Sequence, residues 1–184
     1  MNCQEKAEPL YRKCIEVNPV HSFALYNLAI LVEEVRGSQH GGRKEADSLF
    51  LRAMNANPND SVTVADYGRF KLVCEKNLKE AESLLRKAIS LDDTCVVANY
   101  NLGQLLTMTG SDKTVEAETC FRTVLSVDPH HVEALRYLGK LYLAKDRSQA
   151  EVFFRKAIKS LEGKLSSNNS SSTVNEIMQE MKGR

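Results

Sequence analysis

The chain has 184 residues, of which 42% are hydrophobic and 27% charged, and its formal net charge is +1. This composition is typical of a folded globular protein and excludes a disordered or fibrous chain. No run of about 18 apolar residues is present, so the sequence predicts no membrane span, and the balanced charge gives no reason to expect a polyanionic partner.

The five cysteines indicate the redox state of the compartment rather than a metal-binding or catalytic role. They are odd in number, far apart and without a CxxC pair, which argues against zinc and redox motifs. Because the first residues lack the apolar core of a signal peptide, we expect free thiols in a reducing compartment. This predicts a cytoplasmic protein and leaves a nuclear location open. The cysteines are Cys3, Cys14, Cys74, Cys95 and Cys120.

A pattern of small and large apolar residues recurs along the chain. Five alanines, 33 to 39 residues apart, are each followed four residues later by a large apolar residue and seven residues later by a smaller one. Offsets of 0, 4 and 7 lie on one face of an α-helix. A proline or an acidic residue follows where each helix should stop. The alanines are Ala7, Ala46, Ala81, Ala117 and Ala150.

A second series of large-small pairs lies between these helices. A glycine inside a helix costs about 1 kcal/mol relative to alanine. Three of the four pairs nevertheless end in glycine, so we expect a second helix to pack so closely that a Cβ atom would clash there. The pairs are Leu28-Ala29, Tyr67-Gly68, Leu102-Gly103 and Leu138-Gly139.

Each unit thus has two helices: helix A carries the large-small pair, and helix B carries the alanine of the first pattern. Two such helices, with small residues at fixed contacts and a closing proline, resemble the tetratricopeptide repeat (TPR), whose period is about 34 residues. The resemblance implies an all-α fold, a right-handed α-solenoid of stacked antiparallel helix pairs that forms a superhelix. It covers nearly all of residues 5–164 and departs from the family pattern at Lys71, Asn99, Asp93 and Glu162. The repeats that it implies are residues 22–60, 61–95, 96–131 and 132–164.

The two ends of the chain depart from whole repeats. Residues 1–21 correspond to helix B of an incomplete N-terminal repeat, in which Pro9 favours a helix start. We therefore expect a fragment of a longer array or an end completed by self-association.

At the other end, residues 165–172 are predicted to be a polar linker. Thr173 and Glu176 form a capping-box pattern, which predicts a short amphipathic helix over residues 173–184. Such a helix is too short to be stable alone, so we expect it to dock on the last helix B or in the groove of its own or a neighbouring chain. A frayed tail is the alternative. Its apolar stripe is Val174, Ile177, Met178 and Met181.

In the TPR family, helix A lines a concave groove that takes extended peptides or helices. By position, the resemblance implies a partner-binding groove made of Tyr26, Asn27, Asp66, Arg69, Tyr100, Asn101, Gln104, Arg136, Tyr137 and Lys140. Other groove-facing positions hold Phe23, Glu33, Glu34, Val62, Val73, Met108 and Glu133.

These positions also indicate what kind of segment would bind. TPR domains that hold a chaperone C-terminal carboxylate tail use a set of Lys, Arg and Asn residues that is missing here, so we predict no binding of that tail. Instead, Arg136 and Lys140 favour a partner protein or peptide with an acidic stretch. The alternative is a solvated face, or packing of Tyr100 and Tyr137 between neighbouring helices.

No catalytic motif or metal-ligand spacing is present. The sequence therefore predicts no enzyme activity, no metal and no cofactor. It favours a non-catalytic adaptor that binds a partner segment in its groove. A structural scaffold that self-associates through incomplete ends is the alternative. An RNA-binding helical repeat is disfavoured, because phosphate neutralisation needs many Lys and Arg residues.

Overall fold

The computed structural model describes residues 3–36, 40–164 and 170–182, which form α-helices, one short 3₁₀ turn and no β-strand. Residues 165–169 of the predicted polar linker lie outside the described residues. None of the described helices is both long and apolar enough to cross a membrane. The helices are α1 (Cys3–Val17), α2 (Ser22–Arg36), α3 (His40–Ala56), α4 (Ser61–Val73), α5 (Leu78–Leu91), α6 (Val96–Thr109), α7 (Thr114–Val127), α8 (Val132–Tyr142), α9 (Arg147–Lys164) and α10 (Ser170–Met181), and the 3₁₀ turn is Ser111–Lys113.

The first compact unit, residues 1–101, is built from paired helices, and a buried apolar cluster joins α2, α3 and α4. Helix α2 packs on α3, α4 packs on α5, and α1 packs on α2. The ring of Phe50 lies 5.7 Å from that of Tyr67 and 5.4 Å from that of Phe70, centroid to centroid. Aromatic side chains from α3 and α4 therefore form the centre of this core.

The second compact unit, residues 102–184, has its own core. Helix α8 packs on α7 and α9, and α10 packs on α9 and α8. The buried cluster contains Leu135, Ala150, Phe154, Ala157 and Ile177. Ile177 belongs to α10, so the C-terminal helix contributes to this core.

The helix-A glycines lie where the sequence predicts a close approach of two helices. A Cβ atom on Gly103 would lie 2.8 Å from the ring of Phe121, and one on Gly139 would lie 2.7 Å from the ring of Phe154. At Gly68 the neighbour is Leu85, at 2.9 Å. These three neighbours are the large apolar residues of the first pattern, so the predicted clash is confirmed.

Two helix-A starts are capped by histidine. His21 Nδ1 accepts a hydrogen bond from the Ala24 backbone N–H, and His131 Nδ1 accepts one from the Ala134 N–H, both at 3.2 Å. At the start of α4, Asp60 accepts from the Val62 N–H in the same role. A side-chain acceptor at this position satisfies one of the backbone N–H groups that a helix leaves unpaired at its start.

The structure accommodates the polar departures from the repeat pattern with local partners. Lys71 is only 5% exposed, and its ammonium group forms ion pairs with Asp47, Glu75 and Glu80. Burial alone would lower the pKa of Lys71, but hydrogen bonds to Asp47 and Glu75, together with Tyr67, outweigh burial and raise it. The Asn99 side chain donates to the backbone carbonyls of Asp93 and Cys95.

The expectation that Pro9 marks a helix start is wrong. Pro9 lies inside α1, which begins at Cys3. Glu8, in the turn before it, forms ion pairs with Arg12 and with Arg36 of α2. These contacts hold the segment before Pro9 in place although proline removes one backbone hydrogen bond.

The C-terminal helix begins at Ser170, three residues before the predicted Thr173, and ends at Met181. Serine is only about 0.5 kcal/mol less favourable in a helix than alanine. Packing of Ile177 against the second core can therefore extend the helix into the serine run.

The side chains of four cysteines are described by the structure. Cys95 and Cys120 are buried, and Cys14 and Cys74 are partly exposed. None of these four thiols forms a disulfide.

Candidate functional site

In the first unit, the predicted groove residues of α2 and α4 form one hydrogen-bonded cluster. The Tyr26 hydroxyl donates to Asp66 Oδ2 at 2.8 Å, and Arg69 Nε donates to Asp66 Oδ1 at 3.1 Å. The Arg69 guanidinium also binds both carboxylate oxygens of Glu33, at 2.8 and 2.6 Å. Paired donors and acceptors of this kind fix side-chain geometry.

Burial and neighbouring charges raise the pKa values of Tyr26, Arg69 and the adjacent Cys74. Burial, together with the Asp66 carboxylate, raises the pKa of Tyr26. Burial would lower the pKa of Arg69, but the hydrogen bonds and charge of Glu33 outweigh it and raise that pKa. Burial and Glu33 raise the pKa of Cys74, whose Sγ lies 3.5 Å from Glu33 Oε1. At neutral pH the cluster therefore consists of satisfied pairs rather than reactive groups.

The two groove asparagines of this unit are held by their own helices. Asn27 Nδ2 donates to the Phe23 carbonyl at 2.7 Å, and Asn101 Nδ2 donates to the Val97 carbonyl at 2.8 Å. Tyr100 is half-buried beside Asn101 on α6. The amide nitrogens are thus engaged one turn back along the helix.

In the second unit, Tyr137 connects two groove residues. Gln104 Nε2 donates to the Tyr137 hydroxyl at 3.0 Å, and the Lys140 ammonium lies 5.5 Å from the Tyr137 ring centroid. The Tyr137 ring stacks on Phe121, with centroids 5.0 Å apart and planes 8° from parallel. Tyr137 therefore packs against side chains of α6 and α7 within its own unit.

The two basic groove residues of this unit, Arg136 and Lys140, form ion pairs with glutamates. Arg136 Nη2 donates to Glu180 Oε1 at 2.7 Å, and Lys140 Nζ lies 2.9 Å from the same oxygen. Arg136 Nη1 also donates to Glu133 at 3.1 Å. The hydrogen bonds that Arg136 donates to Glu180 are the largest influence that raises the pKa of Arg136. Because Glu180 belongs to α10, an acidic segment of the chain itself lies on the predicted basic residues.

Several apolar side chains at groove-facing positions of the two units are exposed. Phe23 is 65% exposed, Val62 and Val73 are each 46% exposed, and in the second unit Met108 is 64% exposed. Apolar side chains next to pre-ordered polar groups are typical of protein-binding surfaces.

The sequence interpretation misses the acidic partners in these clusters. It places Glu33 among the groove-facing positions without pairing it with Arg69, and it gives Arg136 no partner in Glu180. Charge complementarity was the available signal, but the pairs are separated by 36 and 44 residues in sequence. Only the packing of one helix beside another selects them.

Elsewhere in the second unit, a cavity of about 620 Å³ is lined by Pro129, His130, Lys156, Lys159, Ser160 and Gly163. His130 Nδ1 lies 3.2 Å from Ser160 Oγ. These residues are not among the predicted groove positions. In the part of the chain that the structure describes, no cluster of three or more His, Cys, Asp or Glu residues is arranged to hold a metal ion.

No family model matches the chain. Among curated proteins, the chain is 29% identical over 133 residues to protein O-mannosyl-transferase TMTC3 of Homo sapiens and 28% identical over 138 residues to anaphase-promoting complex subunit 3 of Schizosaccharomyces pombe. The matches cover 72% and 75% of this chain but only 14% and 20% of the two relatives. The chain thus spans a small part of each relative's length.

Solved structures show the fold more fully. The crystal structure of MamA matches with a TM-score of 0.69 and 19% identity, over 89% of this chain and 97% of that chain. PilF of Pseudomonas aeruginosa matches with a TM-score of 0.72 and 20% identity, over 86% and 72%. YrrB, described as a TPR protein with an unusual peptide-binding site, matches with a TM-score of 0.62 and 26% identity, over 85% and 77%. These neighbours have an all-α repeat fold.

Proposed function

Because the chain folds as a tetratricopeptide-repeat protein, we propose that it is a non-catalytic protein-interaction module. Its groove-facing helix-A residues bind an extended or helical segment of a partner protein, and the module acts as an adaptor. We assign the binding to the predicted groove residues. These include Tyr26, Asp66 and Arg69 in the first unit and Gln104, Arg136 and Lys140 in the second.

One observation carries this proposal. In the first unit Tyr26, Asp66 and Arg69 are already paired with one another and with Glu33, while Phe23, Val62 and Val73 stay exposed. A partner that covers the apolar side chains gains hydrophobic burial. It does not have to order the polar groups, because they are pre-organised, and pre-organisation lowers the entropic cost of binding.

Two of the compared proteins support the same type of function. YrrB has a peptide-binding site by its description, and the Schizosaccharomyces pombe relative is a subunit of a complex by its name. The human relative is named a transferase, but the match covers 14% of its length. We therefore assign to this chain the interaction role and not the transferase chemistry.

The test compares two double variants in quantitative capture of partners from a cell extract. Phe23→Ser with Val62→Ser removes the exposed apolar groove residues. Leu51→Ser with Val152→Ser is the matched control, since these side chains are 43% and 49% exposed on helix-B elements. We expect the groove variant to lose about tenfold or more in partner binding, because a central apolar anchor is worth about 2 kcal/mol or more.

The control variant should retain binding within about twofold, and both variants should keep the wild-type circular dichroism spectrum. Equal capture by the groove variant and the wild type would contradict the proposal.

The scaffold role is a second candidate, favoured by one observation on α1 and the turn after it. Leu10, Val17 and Val20 are 68%, 81% and 70% exposed. Sedimentation equilibrium over a wide concentration range tests it. A mass that rises above the 20.6 kDa of one chain, and that returns to it in a Leu10→Ser, Val17→Ser variant, would favour the scaffold role.

A further inference from the structure

Helix α10 is attached to the second unit by a small apolar contact. Ile177 is fully buried among Leu135 of α8 and Phe154 of α9, and Met181 packs at the edge of the same cluster. Met178, on the adjacent position of the helix, is 42% exposed. Ile177 is therefore the central apolar contact of α10, and the partly buried Met181 adds to it.

The second attachment of α10 is electrostatic. Glu180 accepts hydrogen bonds from Arg136 Nη2 at 2.7 Å and from Arg136 Nε at 3.3 Å, and it pairs with Lys140 at 2.9 Å. Glu176 lies 3.6 Å from Arg136 and is largely exposed. Arg136 and Lys140 are also the groove residues that the sequence assigns to an acidic partner stretch.

The packing of α10 on α8 and α9 is needed for its stability, because a helix of 12 residues is marginal in water on its own. Elements with few buried apolar contacts open at lower free energy than core helices. Helix α9, in comparison, buries Ala150, Phe154 and Ala157 completely. Of these two neighbouring helices, α10 is therefore the more easily displaced.

We propose that α10 is a ligand bound in cis, and that it occupies a surface that a partner helix of the same chemistry takes in its place. The partner segment is an amphipathic helix in which an aliphatic residue is followed three positions later by a carboxylate, as Ile177 is followed by Glu180. The aliphatic residue fills the site between α8 and α9, and the carboxylate binds Arg136 and Lys140. This inference rests on the proposed interaction function and adds the chemistry of the partner and its competition with α10.

The test uses the full chain and a labelled peptide with the sequence of residues 170–182. In the wild type, α10 belongs to the same chain and therefore competes intramolecularly, at an effective concentration of roughly millimolar. The Ile177→Ala, Glu180→Gln variant should release α10 and bind the peptide at least about tenfold more tightly than the wild type does. The Met178→Ala variant, changed at the exposed adjacent position, should bind it as the wild type does.

The peptide itself supplies the specificity control. A peptide carrying the Glu180→Gln change should bind the released variant at least about fivefold more weakly than the unchanged peptide. If the released variant stays folded and binds neither peptide more tightly than the wild type does, then α10 is only a structural cap and the proposal is overturned.

A second measurement uses the wild type and does not depend on the folding of a variant. Millimolar peptide should speed hydrogen exchange in the chain's own α10 while α8 and α9 keep their protection. Unchanged exchange in α10 would also overturn the proposal. The capture experiment with the Phe23→Ser, Val62→Ser variant tests the proposed function separately. Because the peptide experiment changes neither of these residues, failure of one proposal is distinguishable from failure of the other.

Discussion

At the scale of single residues, three of the helix pairs bring a glycine of the first helix against a large side chain of the second. Gly139 lies against the ring of Phe154, and Gly103 lies against that of Phe121. Protein cores are packed as densely as organic crystals, so even one added methyl group at these glycines must displace a ring.

We expect Gly139→Ala to destabilise the protein by about 1 to 2 kcal/mol. Overpacking of a core costs about 1 to 3 kcal/mol, and the better helix propensity of alanine offsets up to about 1 kcal/mol of that loss. Gly163→Ala is the control, because a Cβ atom there has nothing within 4 Å. Urea denaturation should show the control to be neutral or more stable; an equally stable Gly139→Ala protein would mean that Phe154 can move aside.

The pairing of Glu33 with Arg69 leads to a second prediction. The Glu33 side chain is 10% exposed, and it provides both oxygens to the guanidinium. Glu33→Gln should destabilise the protein by about 2 to 3 kcal/mol, because breaking a largely buried pair leaves Asp66 as the remaining carboxylate beside the Arg69 charge.

The control for Glu33→Gln is Glu151→Gln, in an exposed pair with Arg155. Exposed pairs contribute about 0 to 1 kcal/mol, so its unfolding midpoint in urea should stay near that of the wild type. Similar losses in both variants would show that burial does not strengthen the Glu33 pair.

These residues also show how far sequence reasoning extends. Periodicity locates Gly103 and Phe121, because both follow from the helical repeat of small and large side chains. It could not pair Glu33 with Arg69, since several carboxylates lie at groove-facing positions of this unit and only the lateral offset of α2 and α4 selects one. The buried Lys71 was visible as a departure, but its three carboxylate partners were not.

At the scale of elements, α10 shows how a weak local signal becomes a helix through packing. The capping box at Thr173 and Glu176 predicts a helix, and the apolar stripe predicts a docked face. The observed start at Ser170 and the burial of Ile177 depend on the surface of α8 and α9. Local propensity does not contain that information, because marginal helices gain most of their stability from tertiary packing.

The attachment of α10 should weaken in acid. Burial would raise the pKa of Glu180, but hydrogen bonds from Arg136 and Lys140 outweigh burial and lower the pKa below its ordinary value of 4.5. A carboxylate with a lowered pKa in the folded state contributes stability at pH values above its unfolded pKa, and this contribution disappears as the pH falls through the folded pKa. Glu133, which shares Arg136, and Glu176 face the same site.

Hydrogen exchange, corrected for the intrinsic rate, should therefore show α10 losing protection as the pH is lowered from about 5 to about 3. In the Glu180→Gln variant, protection of α10 should already be lower at neutral pH and should change less over this range. An identical pH dependence in both proteins would assign the effect to other carboxylates.

At the scale of the whole molecule, the chain divides into two compact units, residues 1–101 and 102–184. Each has its own buried cluster, one centred on Phe50 and Phe70 and the other on Phe154 and Leu135. In repeat proteins each element contacts only its neighbours, so stability is approximately a sum of local terms. Loss of packing in one core should therefore lower the stability of the helices that form that core more than the stability of the other helices.

Phe154→Ala tests this at the scale of the molecule. Truncating a fully buried phenylalanine costs about 3 to 5 kcal/mol, and the substitution also removes the ring against which Ile177 of α10 packs. Native-state hydrogen exchange should show that α8, α9 and α10 lose most of their protection, while the amides of α2 and α3 keep theirs within about 1 kcal/mol, in keeping with near-additive local terms. The neighbouring Phe153 supplies the control, because it is only partly buried, and Phe153→Ala should cause a smaller loss confined to the same helices. An equal fall in protection along α2 and α3 would show that the two cores unfold as one cooperative unit.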